Sequence, residues 1–550
     1  GPSGMGKSTH TALWKKLFDT PFLNGDLNLI GKEGDQFVVY GIPWCGTSEI
    51  FTVEKKELGG IVLLEKAPED KIVSLTKEQK TLRVMQRMIS PPWTAGLMKK
   101  NKYEIDRCNG TLMDKLISFA IPLMLSGILQ LMFNAVDIIV VGRFSGSQSL
   151  AAVGSTTALI NMFTNLFIGI SLGANVLAAR FYAAKREKEM SETVHTAITL
   201  ALISGIVMAF VGVIFSRFAL ELMDTPDDVI GLSTLYMRIY FLGMPFFMLY
   251  NYGAAILRAV GDTKRPLFFL VAAGVINAGL NLLLVIVFDM GVAGVAIGTI
   301  VSQMISSILV LRCLCRSEGS YKLSFSKLRI RGIYMKQIFQ VGIPAGIQST
   351  VINFSNVLLQ SSVNSFGSTA MAGYTAANNI FGFLYVTVNS VTQTCMSFTS
   401  QNYGAGKNKR MDKVLIDCII LSVVITSILG VSAYGFGPEL LKIYTEDAKV
   451  IQCGMEILLY TTVTYFLCGL MDLFPGALRG MGHSAVPMIL SVIGTVGTRI
   501  VWIFWIFPAH RSLDILFISY PASWIITIIM QVICYYFVRK KVHRNMQRQV

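Results

Sequence analysis

The stretch Ala255-Ile256-Leu257-Arg258-Ala259-Val260-Gly261-Asp262 returns 221 positions later as Gly476-Ala477-Leu478-Arg479-Gly480-Met481-Gly482-His483. At the same offset Tyr182 pairs with Tyr403, Met190 with Met411 and Pro266 with Pro487, while Pro122 with Pro344 and Asn134 with Asn356 stand 222 apart. A register that slips by one residue over the length of a domain marks an internal duplication, and both copies lie inside long apolar runs. Duplicated bundles of membrane helices build secondary transporters, which bind their cargo where the repeats meet.

The apolar text is too abundant for a soluble core. With 53% hydrophobic and 15% charged residues and a mean hydropathy of +0.56, the chain reads as a polytopic membrane protein whose first partner is the bilayer. A formal net charge of +15 could suggest nucleic acid, but the Lys and Arg are scattered among interhelical loops, so no nucleic-acid partner is expected. The nine Cys form no disulfide or metal framework: Cys313-x-Cys315 has no second pair, and the rest are dispersed. The five His have no metal spacing, so no resident metal or cofactor is expected. No cleavable signal peptide is visible in the polar, Gly-rich opening residues.

Residues 1–97 carry mixed charge, Trp14, Trp44 and Trp93, and only short strand-like runs, Phe37-Val38-Val39-Tyr40 and Ile61-Val62-Leu63-Leu64. Twelve apolar segments then follow, at about 116–141, 152–182, 192–215, 229–257, 266–288, 292–313, 333–362, 370–401, 412–435, 450–477, 485–507 and 514–538. Several exceed the ~20 residues that cross a bilayer, which predicts tilt, bending or projection beyond it. Pro122, Pro245, Pro344 and Pro475 lie within such segments and can bend them.

The loops set an orientation. Basic clusters precede the first segment (Lys99, Lys100, Lys102, Arg107) and follow the second (Lys185, Arg186, Lys188) and fourth (Lys264, Arg265). They recur between the sixth and seventh, after the eighth (Lys407, Lys409, Arg410, Lys413) and after the twelfth. Asp224, Asp227, Asp228, Asp289, Glu446 and Asp447 mark the other side. All the basic clusters share one side only if the helix count is even and both ends are cytoplasmic, which places the chain in the plasma membrane as a multi-pass protein. Six segments separate equivalent positions, so the two copies enter in the same sense, as parallel repeats. The expected plan is an amino lobe over 98–313, a cytoplasmic linker over 314–332 and a carboxyl lobe over 333–550, in a monomer with a ligand cleft between the lobes.

Polar groups within the hydrocarbon mark that cleft and its surroundings. Asp137 lies in the first segment, where a carboxylate costs about 2.5–3.5 kcal/mol on insertion scales and so belongs in a polar cavity on an ion or substrate path, or in an interhelix hydrogen bond. Asn277 and Asn281 stand four apart in the fifth segment, on one helical face, and Thr299 adds a hydroxyl from the sixth. One carboxylate, two amide oxygens and a hydroxyl suit Na⁺, the carboxylate alone suits a proton, and the amides alone suit helix–helix hydrogen bonding. In the second copy Asp472 replaces Asn251 of the first; it is either a cargo-facing acid or the partner of a lobe arginine. Arg499 reads as a structural charge pair of that kind.

Ile121-Pro122-Leu123, Asn134-Ala135-Val136-Asp137-Ile138-Ile139-Val140-Val141-Gly142-Arg143, the Asn277/Asn281 pair, Val295-Ala296-Ile297-Gly298-Thr299 and the doubled Leu-Arg-Gly/Ala-x-Gly resemble a multidrug and toxic compound extrusion (MATE) transporter from about Met98 onward. The resemblance implies an all-α, V-shaped fold of twelve helices in two lobes. It also implies an antiporter exporting amphipathic, often cationic compounds in exchange for H⁺ or Na⁺. It places the coupling ion on Asp137, Asn277, Asn281 and Thr299, gives Pro122 a role in bending the first helix, and directs Asn134, Asn353 and Asp472 to the substrate cleft. Members of this type often carry Asp where this chain has Asn281, and some carry Glu where it has Asn353. A flippase of the same superfamily, moving lipid-linked saccharides, is the alternative and would show more charge along its cleft.

Gly1-Pro2-Ser3-Gly4-Met5-Gly6-Lys7-Ser8 fits the phosphate-cradling pattern G-x-x-x-x-G-K-[ST]. With Asn24-Gly25-Asp26 and Tyr40-Gly41-Ile42-Pro43-Trp44-Cys45-Gly46 it resembles HPr-kinase-like, phosphoenolpyruvate-carboxykinase-type P-loop proteins. That resemblance implies roles for Gly6, Lys7, Ser8 and Asp26 in phosphate and metal binding. A P-loop follows a strand, and no strand precedes this one, so a truncated α/β passenger without kinase activity is expected; Met98-Lys99-Lys100-Asn101 reads like a start for the transporter. The alternative is a nucleotide-regulated fusion. An ABC exporter is disfavoured by the short segment and the lack of a Leu-Ser-Gly-Gly signature.

Overall fold

The computed structural model describes residues 28–33, 36–41, 55–57, 105, 107–108, 111–223 and 225–547. The chain divides into two compact units, Gly1–Met98 and Lys99–Val550. The described part of the first unit is an antiparallel sheet of β1 (Asn28–Glu33), β2 (Gln36–Gly41) and β3 (Lys55–Glu57), in that order. Leu29 faces Tyr40, and Val39 faces Lys56. The run Phe37–Tyr40 lies in β2, where β-branched and aromatic side chains suit a pleated surface. Ile61–Leu64, Trp14, Trp44, Trp93, Gly6, Lys7, Ser8 and Asp26 lie outside the described residues.

The second unit is helical. Its amino half holds α1 (Met113–Phe144), α2 (Gly146–Ala183), α3 (Glu187–Leu222), α4 (Asp227–Leu242 and, across a bend, Met244–Val260), α5 (Lys264–Leu282, continued by a π turn over Leu283–Val287) and α6 (Gly291–Arg316). Its carboxyl half holds α7 (Gly332–Asn364), α8 (Ser368–Gly404), α9 (Asn408–Gly435), α10 (Ala448–Thr462 and Tyr465–Gly480), α11 (Ala485–Ala509, interrupted by π turns) and α12 (Leu513–Gln547). A short helix, Gly437–Lys442, precedes α10. Among the described residues this makes twelve rods in two lobes of six. Eight are long and apolar enough to cross a membrane, and the two bent pairs raise the number to ten. The remaining two, α7 and α8, are diluted by Ser, Thr, Asn and Gln.

Duplication extends to the irregularities. The bends are 47° in α4 and 44° in α10, at Gly243 and Thr464, which stand 221 apart. Pro245 sits at the start of the second half of α4, next to its bend, whereas Pro475 lies inside Tyr465–Gly480, well past the break. Pro122 and Pro344 lie within continuous α1 and α7, and Ser126 Oγ donates to the Pro122 carbonyl at 2.7 Å, a local bond of the kind that bends helices. The helices outrun the apolar segments: α3, for example, starts five residues before 192 and ends seven after 215, because charged flanks leave the hydrocarbon without leaving the helix.

The lobes meet along α2, α7 and α8. A Cβ on Gly342 of α7 would fall 2.4 Å from Ile170 Cα of α2, and one on Gly169 would fall 2.3 Å from Gly346 N, so these two helices touch backbone to backbone. Small residues permit that approach in a membrane, where packing rather than water drives helix association. Side-chain hydrogen bonds cross the same seam: Ser397 Oγ donates to Asn175 Oδ1 (3.1 Å), Ser400 Oγ to the Val176 carbonyl (2.6 Å) and Gln401 Nε2 to the Ala259 carbonyl (2.6 Å). These residues lie close to the helix ends that run into the Lys185–Lys188, Lys264–Arg265 and Lys407–Arg410 loops. The lobes are therefore fastened at their basic end.

Candidate cation site and interlobe cleft

The four residues expected to meet in the amino lobe do meet. Asn281 Nδ2, on α5, donates to Asp137 Oδ1 of α1 at 2.5 Å and to Asn277 Oδ1, one turn back, at 2.6 Å. Thr299 Oγ1, on α6, lies 3.4 Å from Asp137 Oδ2, but its shorter bond is to the Val295 carbonyl at 3.0 Å. Asp137 is 7% exposed and Asn281 is fully buried. The carboxylate thus accepts one short hydrogen bond and a share of a hydroxyl, leaving lone pairs open. Asn281 Oδ1 is buried with no hydrogen-bond partner.

That orphaned oxygen defines what the site can do. Turning the Asn281 amide over would point Oδ1 at Asp137 and Asn277 Oδ1, an arrangement that repels unless a proton or cation sits among the oxygens. Gly298 makes room for this amide, since a Cβ there would fall 2.3 Å from Asn281 Oδ1. Asn281 also stands two residues before the start of the π turn of α5, and such turns recur at functional sites. Sequence reasoning missed Gly298 and the two tyrosines of α4, Tyr236 and Tyr240, which are electrostatic neighbours of Asp137. Their four-residue spacing was the available signal.

The residues expected in the cleft are dispersed. Asn134 on α1 and Asn353 on α7 are exposed, and neither makes a hydrogen bond among the described residues. Asp472 on α10 is half-buried and also makes none; Arg479 and Tyr385 are its electrostatic neighbours. Arg479 Nη2 donates to Gln348 Oε1 at 2.6 Å and makes no ion pair with Asp472 within 4 Å.

Arg499 corrects an expectation. It forms no charge pair: Nη1 donates to Asn356 Oδ1 (2.8 Å) and Ser355 Oγ (3.4 Å), Nε to Ser523 Oγ (3.4 Å), and the guanidinium lies 4.5 Å from the Tyr520 ring centroid. The physical reason is direction, because α11 turns this side chain toward neutral acceptors on α7 and α12. By the repeat offsets, Asp137, Asn277, Asn281 and Thr299 correspond to Leu359, Thr498, Trp502 and Tyr520. Of these equivalents only Thr498 and Tyr520 offer a side-chain oxygen, each a hydroxyl, and the Arg499 guanidinium stacks on Tyr520. Among the described residues no three His, Cys, Asp or Glu gather as a metal site.

Two parallel six-helix repeats, with a buried acid cluster in one lobe and a polar seam between them, define a membrane transporter. The MatE family model matches residues 122–283 and 344–505, one match in each lobe. The probable multidrug resistance protein YoeA of Bacillus subtilis is 30% identical over 434 residues, covering 77% of this chain and 93% of that protein. The multidrug export protein MepA of Staphylococcus aureus is 21% identical over 379 residues, 69% of this chain and 84% of that one. Among solved structures, the Vibrio cholerae MATE transporter VcmN in its bent form superposes with a TM-score of 0.71 at 18% identity, covering 79% of this chain and 97% of that one. A MOP-superfamily transporter from Pyrococcus furiosus superposes with a TM-score of 0.73 at 20% identity, covering 80% and 97%. The chain belongs to the MATE family.

Proposed function

We propose that this transporter is a secondary antiporter that exports amphipathic, cationic compounds in exchange for H⁺ or Na⁺. The observation that carries the reading is the Asp137 cluster: a buried carboxylate with open lone pairs, two amides and an orphaned carbonyl oxygen within one lobe. Buried ionisable groups at membrane depth mark ion paths. The names of YoeA and MepA, multidrug resistance and multidrug export, support the cargo class. The half-buried Asp472, with no hydrogen bond of its own, offers a cationic cargo a partner in the other lobe.

The basic end is assigned to the cytoplasm, which puts both termini there. The fastened seam then closes the cytoplasmic side. Ion entry at Asp137 would replace the Asn281 amide protons as the carboxylate's partner, and the freed amide would turn. Asn134 and Asn353 stand on the walls that cargo would meet, and Pro122 lets α1, which carries Asp137, change its curve.

The test is efflux of a cationic dye from proteoliposomes with Na⁺ and pH gradients imposed separately. Efflux driven by one gradient and not the other identifies the coupling ion. Efflux driven by neither, or only by added ATP, overturns the reading.

A further inference from the structure

A short segment ahead of α1 ties the two lobes together. Arg107 is wholly buried there, its guanidinium 4.2 Å from the ring centroid of Phe119 on α1 and 5.2 Å from that of Phe398 on α8. Its Nη2 donates to the Arg258 carbonyl near the end of α4. Its own carbonyl accepts from Asn402 Nδ2 (3.2 Å) and Arg410 Nε (3.1 Å), and the Cys108 carbonyl accepts from Lys407 Nζ (2.8 Å). Ile105 N donates to the Gly261 carbonyl at 3.3 Å. Gly261 has a φ of +106°, and a Cβ there would fall 2.7 Å from Ile105 N, so only glycine lets the segment lie so close. Ile105, Arg107 and Cys108 therefore stitch the end of α4 in the amino lobe to the end of α8 and the start of α9 in the carboxyl lobe.

The duplication supplies a counterpart. Arg329 stands 222 positions beyond Arg107, ahead of α7. There Arg329 and Arg331 pair with Glu192 of α3 (3.2 and 3.4 Å), and Ser324 N donates to His195 Nε2 (3.1 Å). Each strap leads into the first helix of one lobe and is tied to the third helix of the other.

The two are held differently. The strap before α7 is secured by surface ion pairs, whereas among the described residues Arg107 makes no ion pair, and its Nε and Nη1 are buried without a hydrogen-bond partner. Two aromatic faces and one carbonyl offset part of the cost of burying that charge, and the two idle donors leave the rest outstanding. The closed seam contains its own incentive to open, because water reaching the guanidinium removes the cost.

We infer that Ile105, Arg107 and Cys108 form a releasable latch across the basic end, with Arg107 as the residue that positions it and sets how readily it lets go. The inference rests on the antiport reading above, with its closed cytoplasmic side, but it concerns the resting balance between closed and open lobes.

The experiment places bio-orthogonal spin labels on the full chain in lipid, without cargo or coupling gradient. One pair sits at Lys188 and Lys409, exposed and repeat-related at the basic end; a second sits at Asp228 and Lys449 at the opposite end. Arg107→Ala removes the stacking and the Arg258 bond, and should enrich the long-distance population of the first pair about five-fold or more, with the second pair drawing together. Arg107→Met fills the same slot between the rings without a charge, and should deplete that population below wild type. Opposite shifts are the signature of a strained latch. Unchanged distances, or shifts in the same direction, overturn it. If Arg107→Ala does not insert, Asn402→Ala removes the bond to the Arg107 carbonyl, along with a local one to the Phe398 carbonyl within α8, and should shift the first pair in the same direction more weakly; no shift is equally fatal. Because the distances need no ion or cargo, failure of the antiport assignment would leave this result intact.

Discussion

Replacing Asp137 with Asn separates the ion from the scaffold. The substitution is nearly isosteric, and the new amide oxygen still accepts from Asn281 Nδ2, which lies 2.5 Å from Asp137 Oδ1. The structural loss is the difference between a charged and a neutral hydrogen bond, about 1 kcal/mol, so insertion and expression should survive. The functional loss is larger. A monovalent cation about 4 Å from the carboxylate charge gains roughly 4 kcal/mol at an effective dielectric of 20, which is on the order of a thousand-fold in affinity. If the ion is a proton, the loss is complete, because an amide does not titrate in this range. Dye efflux at matched expression, with each gradient imposed in turn, should fall to the vector background. Undiminished gradient-driven efflux from Asp137→Asn would refute the assignment of coupling to this cluster.

Asn281→Asp adds a second carboxylate beside Asp137 and should tighten Na⁺ dependence if Na⁺ is the ion; an unchanged Na⁺ response in the efflux assay points to protons. Asp472→Asn should weaken export of cationic dyes several-fold while sparing neutral ones, and an identical profile across both returns Asp472 to a structural role. Gly342→Ala should lower the thermal midpoint in detergent, since its Cβ would fall 2.4 Å from Ile170 Cα and overpacking costs about 1–3 kcal/mol; an unshifted melt contradicts the seam. A chain begun at Met98 should export at the wild-type rate, as should Lys7→Ala, because every intramembrane polar group lies beyond residue 98; loss of export at normal membrane levels would implicate the first unit.

Sequence was most informative where chemistry conflicts with surroundings. A carboxylate in hydrocarbon is costly enough that Asp137 announced a polar site, and the four-residue spacing of Asn277 and Asn281 announced a shared face. The twelve rods were readable because apolar runs are long, though their ends were not, since α1 and α3 continue as helix beyond charged residues that mark the ends of the apolar segments. Arg499 misled because a buried charge implies a partner without saying which kind; Asn356 and two serines supplied neutral ones. Arg107 was hidden more thoroughly. In a row of Lys and Arg ahead of a span it looks like orientation charge, and only the approach of α4, α8 and α9 buries it. Periodicity reports on one helix at a time, whereas the latch depends on three.

Arg499 also bears on how membrane voltage acts on this protein. A guanidinium bonded to the chain stays through every cycle, so Arg499 itself carries no charge out of the cell. If exchange runs through the amino lobe alone, one monovalent ion crosses per turnover. Swapped for a singly charged cargo, that ion makes the cycle electrically silent, and a membrane potential should neither speed nor stall it. Swapped for a neutral cargo, the same ion carries one net charge inward, and about 2.3 kcal/mol per 100 mV becomes available to drive the cycle. One protein would then work against steeper gradients of neutral molecules than of cations whenever the cell is well polarised.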